Sequence, residues 1–483
     1  MADEIKKQLF SGVFYTALAK YSGIVITLVV SAVLARLLSP DDFGVVAIAT
    51  VIISFFSLFT DMGISPAIVQ NKELTKKDLC DIFSFTLWMG LILAAIFFVA
   101  SGFIADYYEN DALKPLCQLL SVNLFFAAAN IVPNALFYKN KEFKLIAIRT
   151  FAIQVICGGL AVGAAFAGAG LYALTINPIL SGILVFAFCM HKYPLRPALT
   201  LGITSIRKIF SYSAYQFMFS LINYFSRNLD KLLIGKHLSM EALGFYEKSY
   251  RLMMLPLQNI TAVITPVMHP VFSDFQNDKS KLASSYEKVI KILAFIGAPL
   301  TAYLYFNSRE LMLLIFGDQW IPSIAVFSIL SLSVGVQVVM SSSGSIYQAA
   351  GDTRSLFICG LFSSIVNVSG ILLGVFYWGA LEAVAWCIVV TYSINFIQCY
   401  WQMYYVTFRR SATFFVRQLV SPIILGVVSA VALFITDTLI GEINIFVSLI
   451  IKSVVELIVF VAYIQLSKEY DIIGEVKKRL LHH

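Results

Sequence analysis

Apolar residues run along this chain in long unbroken blocks, with neither the every-other-residue alternation of a half-exposed strand nor the wide polar face of a soluble amphipathic helix. Breaks at Pro, Gly and charge clusters separate stretches near 11–38, 42–66, 78–105, 112–138, 144–167, 171–191, 206–235, 241–270, 286–307, 320–347, 355–378, 380–404, 415–436 and 443–466. Each is long enough to cross a hydrocarbon core of about 30 Å as a helix. The pattern predicts an all-α polytopic membrane protein with fourteen transmembrane helices. A membrane β-barrel is a poor alternative, because its strands would alternate between lipid and lumen. The first block is longer than a signal-peptide core of about 7–15 residues and no small-residue cleavage site ends it, so it reads as a retained span.

Composition agrees with the pattern. Of 483 residues, 59% are hydrophobic and 13% charged, against roughly 25% charged in a soluble domain. No soluble domain fits between the spans. Seven cysteines lie in or beside apolar runs without C-x-x-C spacing. They read as packing residues, and no metal site, disulfide framework or cofactor is indicated.

Charge changes the picture by giving direction. Lys6, Lys7, Lys72, Lys76, Lys77, Lys139, Lys141, Lys144, Lys192, Arg196, Lys279, Lys281, Arg354, Arg409, Arg410, Lys477 and Lys478 fall on alternate connections, and the intervening ones hold little beyond Lys114, Lys236 and Arg309. By the positive-inside rule the first set is cytoplasmic and both termini are inside. The net charge of +7 is therefore mostly a topology signal and no evidence of nucleic-acid binding.

A repeat divides the chain. "ARLLSPDDFG" at 35–44 returns as "GKHLSMEALG" at 235–244, so that Ser39 matches Ser239, Asp41 matches Glu241 and Gly44 matches Gly244; Ser65-Pro66 recurs as Thr265-Pro266 at the same offset. Each copy is a plausible helix start, with Ser39 or Ser239 capping, Pro40 at the first helical position and Asp42 at the capping-box position, and Glu241 serving the second copy. Six spans separate the copies, so both halves enter the membrane in the same direction. Two parallel six-helix repeats (1–200 and 201–407) and two additional C-terminal helices (408–483) are expected, an arrangement of transporters that rock two bundles about a central site.

The stretch beginning "ARLLSPDDFGVVAIATVIISFF" resembles the N-terminal signature of polysaccharide exporters in the multidrug/oligosaccharidyl-lipid/polysaccharide transporter superfamily, and "NLDKLLIGKHLSMEALGFYEKSYRLMMLP" from Asn228 resembles their second-half segment. The resemblance is to the colanic acid, teichuronic acid and lipopolysaccharide exporters, the Wzx-type flippases. It implies export of an undecaprenyl-diphosphate-linked oligosaccharide from the inner to the outer leaflet of a bacterial cytoplasmic membrane, with membrane lipids and a glycan polymerase or glycosyltransferase as partners.

Charges inside spans cost about 2.5–3.5 kcal/mol each on the insertion scale, so they face a cavity, pair, or snorkel. Lys20, Arg149, Arg227, Lys231, Lys248 and Arg251 are the candidates for a cationic chamber that replaces the hydration of a lipid diphosphate. The competing account is local: Arg227 with Asp230, and Glu247 with Arg251, are self-compensating pairs that fix packing. Asp61 and Asp230 are the carboxylates to test for proton or sodium coupling. Lys452 and Glu456, four residues apart in the last span and outside the repeat, read as a structural pair or a contact with lipid headgroups. The asparagines 123, 130 and 134 and the serines near 341–345 read as sugar contacts or, more commonly, interhelical glue.

Two rival functions remain at this stage. An ion-coupled drug or metabolite antiporter of the same superfamily would share the fold, but the intramembrane candidates are mainly basic. A membrane glycosyltransferase or polysaccharide polymerase would need catalytic groups on a sizeable external loop. The outer connections are short, and no P-loop, H-E-x-x-H or G-x-S-x-G in context is present. The chain reads as a transporter and not an enzyme.

Overall fold

The computed structural model describes residues 2–61, 63–71, 73–197, 221, 224–225, 227–273, 275–276, 278–441, 443–467 and 469, with the side chains of 2–16, 19, 61, 263, 265–267 and 269–271 not among them. Every regular element among the described residues is helical. Eleven helices are long and apolar enough to span a membrane, and a bent pair makes a twelfth: Lys20–Leu37, Pro40–Gln70, Lys76–Tyr108, Leu113–Lys139, Phe143–Phe166, Gly170–Lys192, Lys279–Phe306, Thr353–Trp378, Leu381–Phe408, Thr413–Ile440 and Ile445–Leu466, with Asp318–Ser331 plus Val334–Ala349 as the pair. These twelve match twelve of the fourteen expected stretches. Most of the seventh, 206–235, lies outside the described residues. The eighth is a 34-residue helix, Met240–Ser273, which is not among these spans; its charges Glu241, Glu247, Lys248 and Arg251 lie in its first 12 residues.

The expected tenth span is not one straight helix. It bends by 46° and is interrupted at Leu332-Ser333 and again at Ser341-Ser342. Serine hydroxyls here bond back to carbonyls three or four residues earlier, as Ser331 does to Phe327 O at 2.7 Å and Ser341 to Val338 O at 2.7 Å. Such back-bonding competes with the helical ladder and bends helices.

By contacts the chain forms two compact units, Met1–Gly244 and Phe245–His483. In the first, Ala2–Leu37 packs along Phe143–Phe166, and Lys76–Tyr108 along Leu113–Lys139, which also meets Ala173–Lys192. An apolar cluster of Ile68, Ile82, Phe83, Val132 and Ala135 fixes one end, and Leu34, Leu38 and Ala161 form another. In the second unit, Lys279–Phe306 packs on Thr413–Ile440 and on Val334–Met340. Gly297 and Gly335 bring the last contact close: a Cβ on Gly297 would lie 3.0 Å from Gly335 Cα. Small residues let membrane helices approach where lipid supplies no hydrophobic drive between them.

Both copies of the repeated corner start helices. At the first, Ser39 N and Oγ donate to Asp42 Oδ2 at 3.0 and 2.8 Å, and Asp42 N donates to Ser39 Oγ at 3.2 Å, which makes a full capping box. At the second, Ala242 N donates to Ser239 Oγ at 2.9 Å. Glu241 does not complete a box there, because the residue three beyond the cap is Ala242. Within the first unit the segment 224–244 docks along the start of the second span and the end of the third. Tyr224 OH donates to Val51 O, Tyr108 OH to Leu232 O at 3.4 Å, and Lys236 Nζ pairs with Glu109 Oε1 at 2.8 Å over the Tyr107 ring. Lys236 is held by this pair, and its hydrogen bond and charge keep the Glu109 carboxyl below the usual carboxylate range.

Candidate functional site

The eight residues nominated from sequence fall into different settings. In the first unit Lys20 is exposed on Ala2–Leu37. Arg149, only 7% exposed, sits one and a half turns into Phe143–Phe166. Its Nη1 donates to Cys189 Sγ at 2.9 Å and its Nη2 to Asn134 Oδ1 at 3.0 Å, while the guanidinium lies 5.3 Å from the Phe137 ring centroid. Asn134 and Cys189 stand in the last turns of Leu113–Lys139 and Ala173–Lys192, where carbonyl dipoles favour a cation. Arg149 thus joins three helices, and Nε carries no hydrogen bond.

On the seventh stretch, spacing alone puts Arg227, Asp230 and Lys231 on one helix face. The structure turns Arg227 outward, buries Asp230 and leaves Lys231 half-buried. Asp230 Oδ1 accepts from Lys231 N at 2.8 Å. The side chain of Asp61 lies outside the described residues.

In the second unit Lys248 and Arg251, three residues apart, diverge. Lys248 is 1% exposed, with Nζ 5.1 Å from the Phe316 centroid and 5.6 Å from that of Trp320. Two aromatic faces stabilise an ammonium by their quadrupoles where water is excluded. Arg251, one turn further along the same helix, is exposed, and Glu247 is half-buried. Of the cations nominated, Lys20, Arg227 and Arg251 are exposed, Lys231 is half-buried, and Arg149 and Lys248 are buried.

The polar stripes are interhelical ties. Asn130 Nδ2 donates to Gly182 O at 2.9 Å, and Asn134 serves Arg149. Ser342 Oγ meets Tyr286 OH at 2.8 Å, Tyr286 OH meets Tyr400 OH at 3.0 Å, and Tyr400 OH donates to Val339 O at 2.9 Å. Asn395 Nδ2 donates to Asn367 Oδ1 at 3.0 Å between the two helices that follow. Lys452 does not pair with Glu456. It meets Glu310 Oε1 and Asp437 Oδ1, each at 2.6 Å, and donates to Phe306 O at 3.0 Å. A buried ammonium has three donors to satisfy, and one neighbour on its own helix could serve only part of them.

An apolar groove of about 460 Å³ also opens in the second unit. Ala294, Ala298 and Ala302 of Lys279–Phe306 form its floor, with Gly335, Pro422 and Gly426 on the facing helices. Its one sequence signal is the four-residue spacing of the alanines, which gives a helix a smooth face.

The sequence matches the polysaccharide biosynthesis protein family over residues 33–325, a span that includes both copies of the corner. The chain belongs to this family. As a member of the polysaccharide biosynthesis protein family it is similar to the teichuronic acid biosynthesis protein TuaB of Bacillus subtilis, at 25% identity over 408 residues and 83% of each chain. It is 26% identical over 403 residues to the lipopolysaccharide biosynthesis protein WzxC of Escherichia coli, covering 83% of this chain and 81% of that one. The solved lipid II flippase MurJ, in an inward closed conformation, superposes with a TM-score of 0.75 over 95% of this chain and 99% of its own, at 14% identity. That likeness shows that this family member shares its fold with MurJ, and the eleven long apolar helices among its described residues mark it as a multi-pass membrane protein.

Proposed function

We propose that this chain is a flippase that carries an undecaprenyl-diphosphate-linked oligosaccharide from the inner to the outer leaflet of a bacterial cytoplasmic membrane by alternating access. One observation supports the reading above the rest: membership of a polysaccharide biosynthesis family on a fold shared nearly end to end with a protein named for flipping lipid II. In this reading the bundles 1–200 and 201–407 rock about a central site, residues 408–483 add two helices, and both termini are cytoplasmic. Arg227, Lys231 and Arg251 engage the diphosphate, with Lys20, Arg149 and Lys248 completing the cationic surroundings. Guanidinium forks and ammonium groups replace hydration without any bond being broken. The groove along Ala294, Ala298 and Ala302 has the apolar chemistry of an isoprenoid tail. Asp61 and Asp230 are the carboxylates through which H+ or Na+ would couple, and a glycan polymerase or glycosyltransferase would meet the product.

The test uses cells whose glycan export depends on this chain. Its loss should make lipid-linked oligosaccharide accumulate on the inner leaflet, and wild-type chain should restore export. The variant Arg227→Gln, Lys231→Gln, Arg251→Gln should be made and inserted at the normal level yet fail to export. Full export by this variant would sink the proposed diphosphate site; unchanged export without the chain would sink the flippase reading itself.

A further inference from the structure

The repeat supplies two helix starts 200 residues apart in sequence, and the structure packs them directly on each other. Gly44 and Gly244 hold equivalent places in the two copies, as do Pro40 and Met240. A Cβ added to Gly44 would fall 1.8 Å from the Met240 carbonyl oxygen and 2.6 Å from its carbon. A Cβ added to Gly244 would fall 2.0 Å from the Pro40 carbonyl oxygen and 2.8 Å from its carbon. Each glycine therefore lies flat on the first carbonyl of the other helix. Exchanging the two copies maps the contact onto itself, the property of a two-fold, self-complementary interface. No other residue type fits at either position without moving backbone.

The charges around this contact oppose its tightness. Asp41 and Asp42 lie in the first turn of one helix and Glu241 in the first turn of the other. Asp41 lies within electrostatic reach of Glu241 as well as of its neighbour Asp42. Each acid suits the N-terminus of its own helix, but like charges across a seam repel. A joint meant only to be permanent would gain from opposite charges here. Steric fit between backbones is here set against carboxylate repulsion, and opposed terms of this kind are what an element that opens and closes requires. Backbone contact also lets the surfaces separate and rejoin without re-threading interdigitated side chains.

We infer that the two corners form a two-fold glycine clasp that holds the outer ends of the second and eighth helices together and parts once in each transport cycle. The inference rests on the flippase reading and adds to it the place where the outer side is held shut.

Asp41 and Glu241 are exposed and lie outside the Ser39–Asp42 capping box, so Asp41→Cys with Glu241→Cys should fold. The seven native cysteines are buried or half-buried in the helices, and the wild-type chain serves as the control. A short, reducible bis-thiol reagent should link the two introduced cysteines within one chain, detected as intact length after proteolysis at a site engineered between them. Export should be lost on linking and return on reduction, while each single-cysteine chain exports throughout. Adding Gly44→Val and Gly244→Val should lower the linked fraction, because the corners can no longer close. Efficient linking with undiminished export would overturn the clasp, since the corner would then not need to part. Absence of linking would overturn it too, since the corners would not meet. Both outcomes leave the flippase reading standing; that falls only if export continues without the chain.

Discussion

Lys452 and Glu310 meet at 2.6 Å, Nζ to Oε1, with the lysine side chain 1% exposed and the glutamate 10%. Ser448 donates to the same carboxylate oxygen at 2.8 Å, and Asp437 supplies a second acid to the ammonium. The last two helices are thereby tied to the short Ser308–Phe316 helix of the second unit. Removing the cation alone would strand a buried carboxylate.

Lys452→Met should therefore destabilise the protein by about 3–5 kcal/mol, the range for breaking a buried ion pair from one side. Lys452→Met with Glu310→Gln should recover a large part of that loss, because the charge then left without its partner, Asp437, is more than half exposed. Unfolding midpoints in detergent for the two single variants and the double would measure the coupling. An additive double variant would contradict it.

Tyr286 holds the second unit together through one hydroxyl shared between Ser342 and Tyr400, while its ring packs on Tyr400 and Phe408. Tyr286→Phe keeps the packing and loses the hydroxyl, at a cost of roughly 1–2 kcal/mol. Tyr400→Phe should cost a similar amount, because it also releases Val339 O. The same unfolding assay should show the two losses combining to less than their sum.

The two helix caps should respond unequally. Ser39→Ala removes a reciprocal box with Asp42, whereas Ser239→Ala removes a single bond to Ala242 N. Each change should cost about 1 kcal/mol, with the larger loss at Ser39. Ala242→Glu should offer the second corner the missing carboxylate and raise the unfolding midpoint, which a thermal scan would detect.

Asp352 provides a pH signature at a helix start. Burial by itself would raise its pKa, but hydrogen bonds from Thr407 and Ser355 outweigh burial and hold the carboxyl below 3.8. A depressed acid contributes stability that is complete above its unfolded pKa and lost as pH falls through the folded value. Asp352→Asn should thus lower the unfolding midpoint equally at about pH 7 and pH 5. The gap to wild type should narrow only below pH 3.8, and a gap that already closed near neutrality would contradict the assignment.

Most of the architecture was legible because span length and continuous apolarity are local properties. Twelve stretches read from the sequence return as spanning helices or a bent pair. The bend itself was foreshadowed by the serines at 331, 333 and 341–343, but composition does not say whether serines pack a straight helix or break it. Partners of intramembrane charges were less legible, because they come from remote segments. Lys452 has Glu456 four residues away, yet its acids are Glu310 and Asp437. Lys248 and Arg251 share a helix and a charge, and only the aromatic neighbours Phe316 and Trp320, 68 and 72 positions beyond Lys248, separate their settings. The repeat was visible as matching letters; that the copies touch required coordinates.

The docking of 224–244 on the second and third spans also bears on how the chain is made. The first six spans emerge from the ribosome well before Tyr224 can reach Val51, Lys236 can reach Glu109 or Met240 can cover Gly44, bonds that bridge 173 and 127 positions in the first two cases. Until then the face of Gly44 that Met240 covers stands open. The first unit therefore cannot finish folding from its own six spans, and insertion of the seventh and eighth completes it. A nascent chain stalled before Met240 would present an open corner to whatever membrane insertase or quality-control protease attends it.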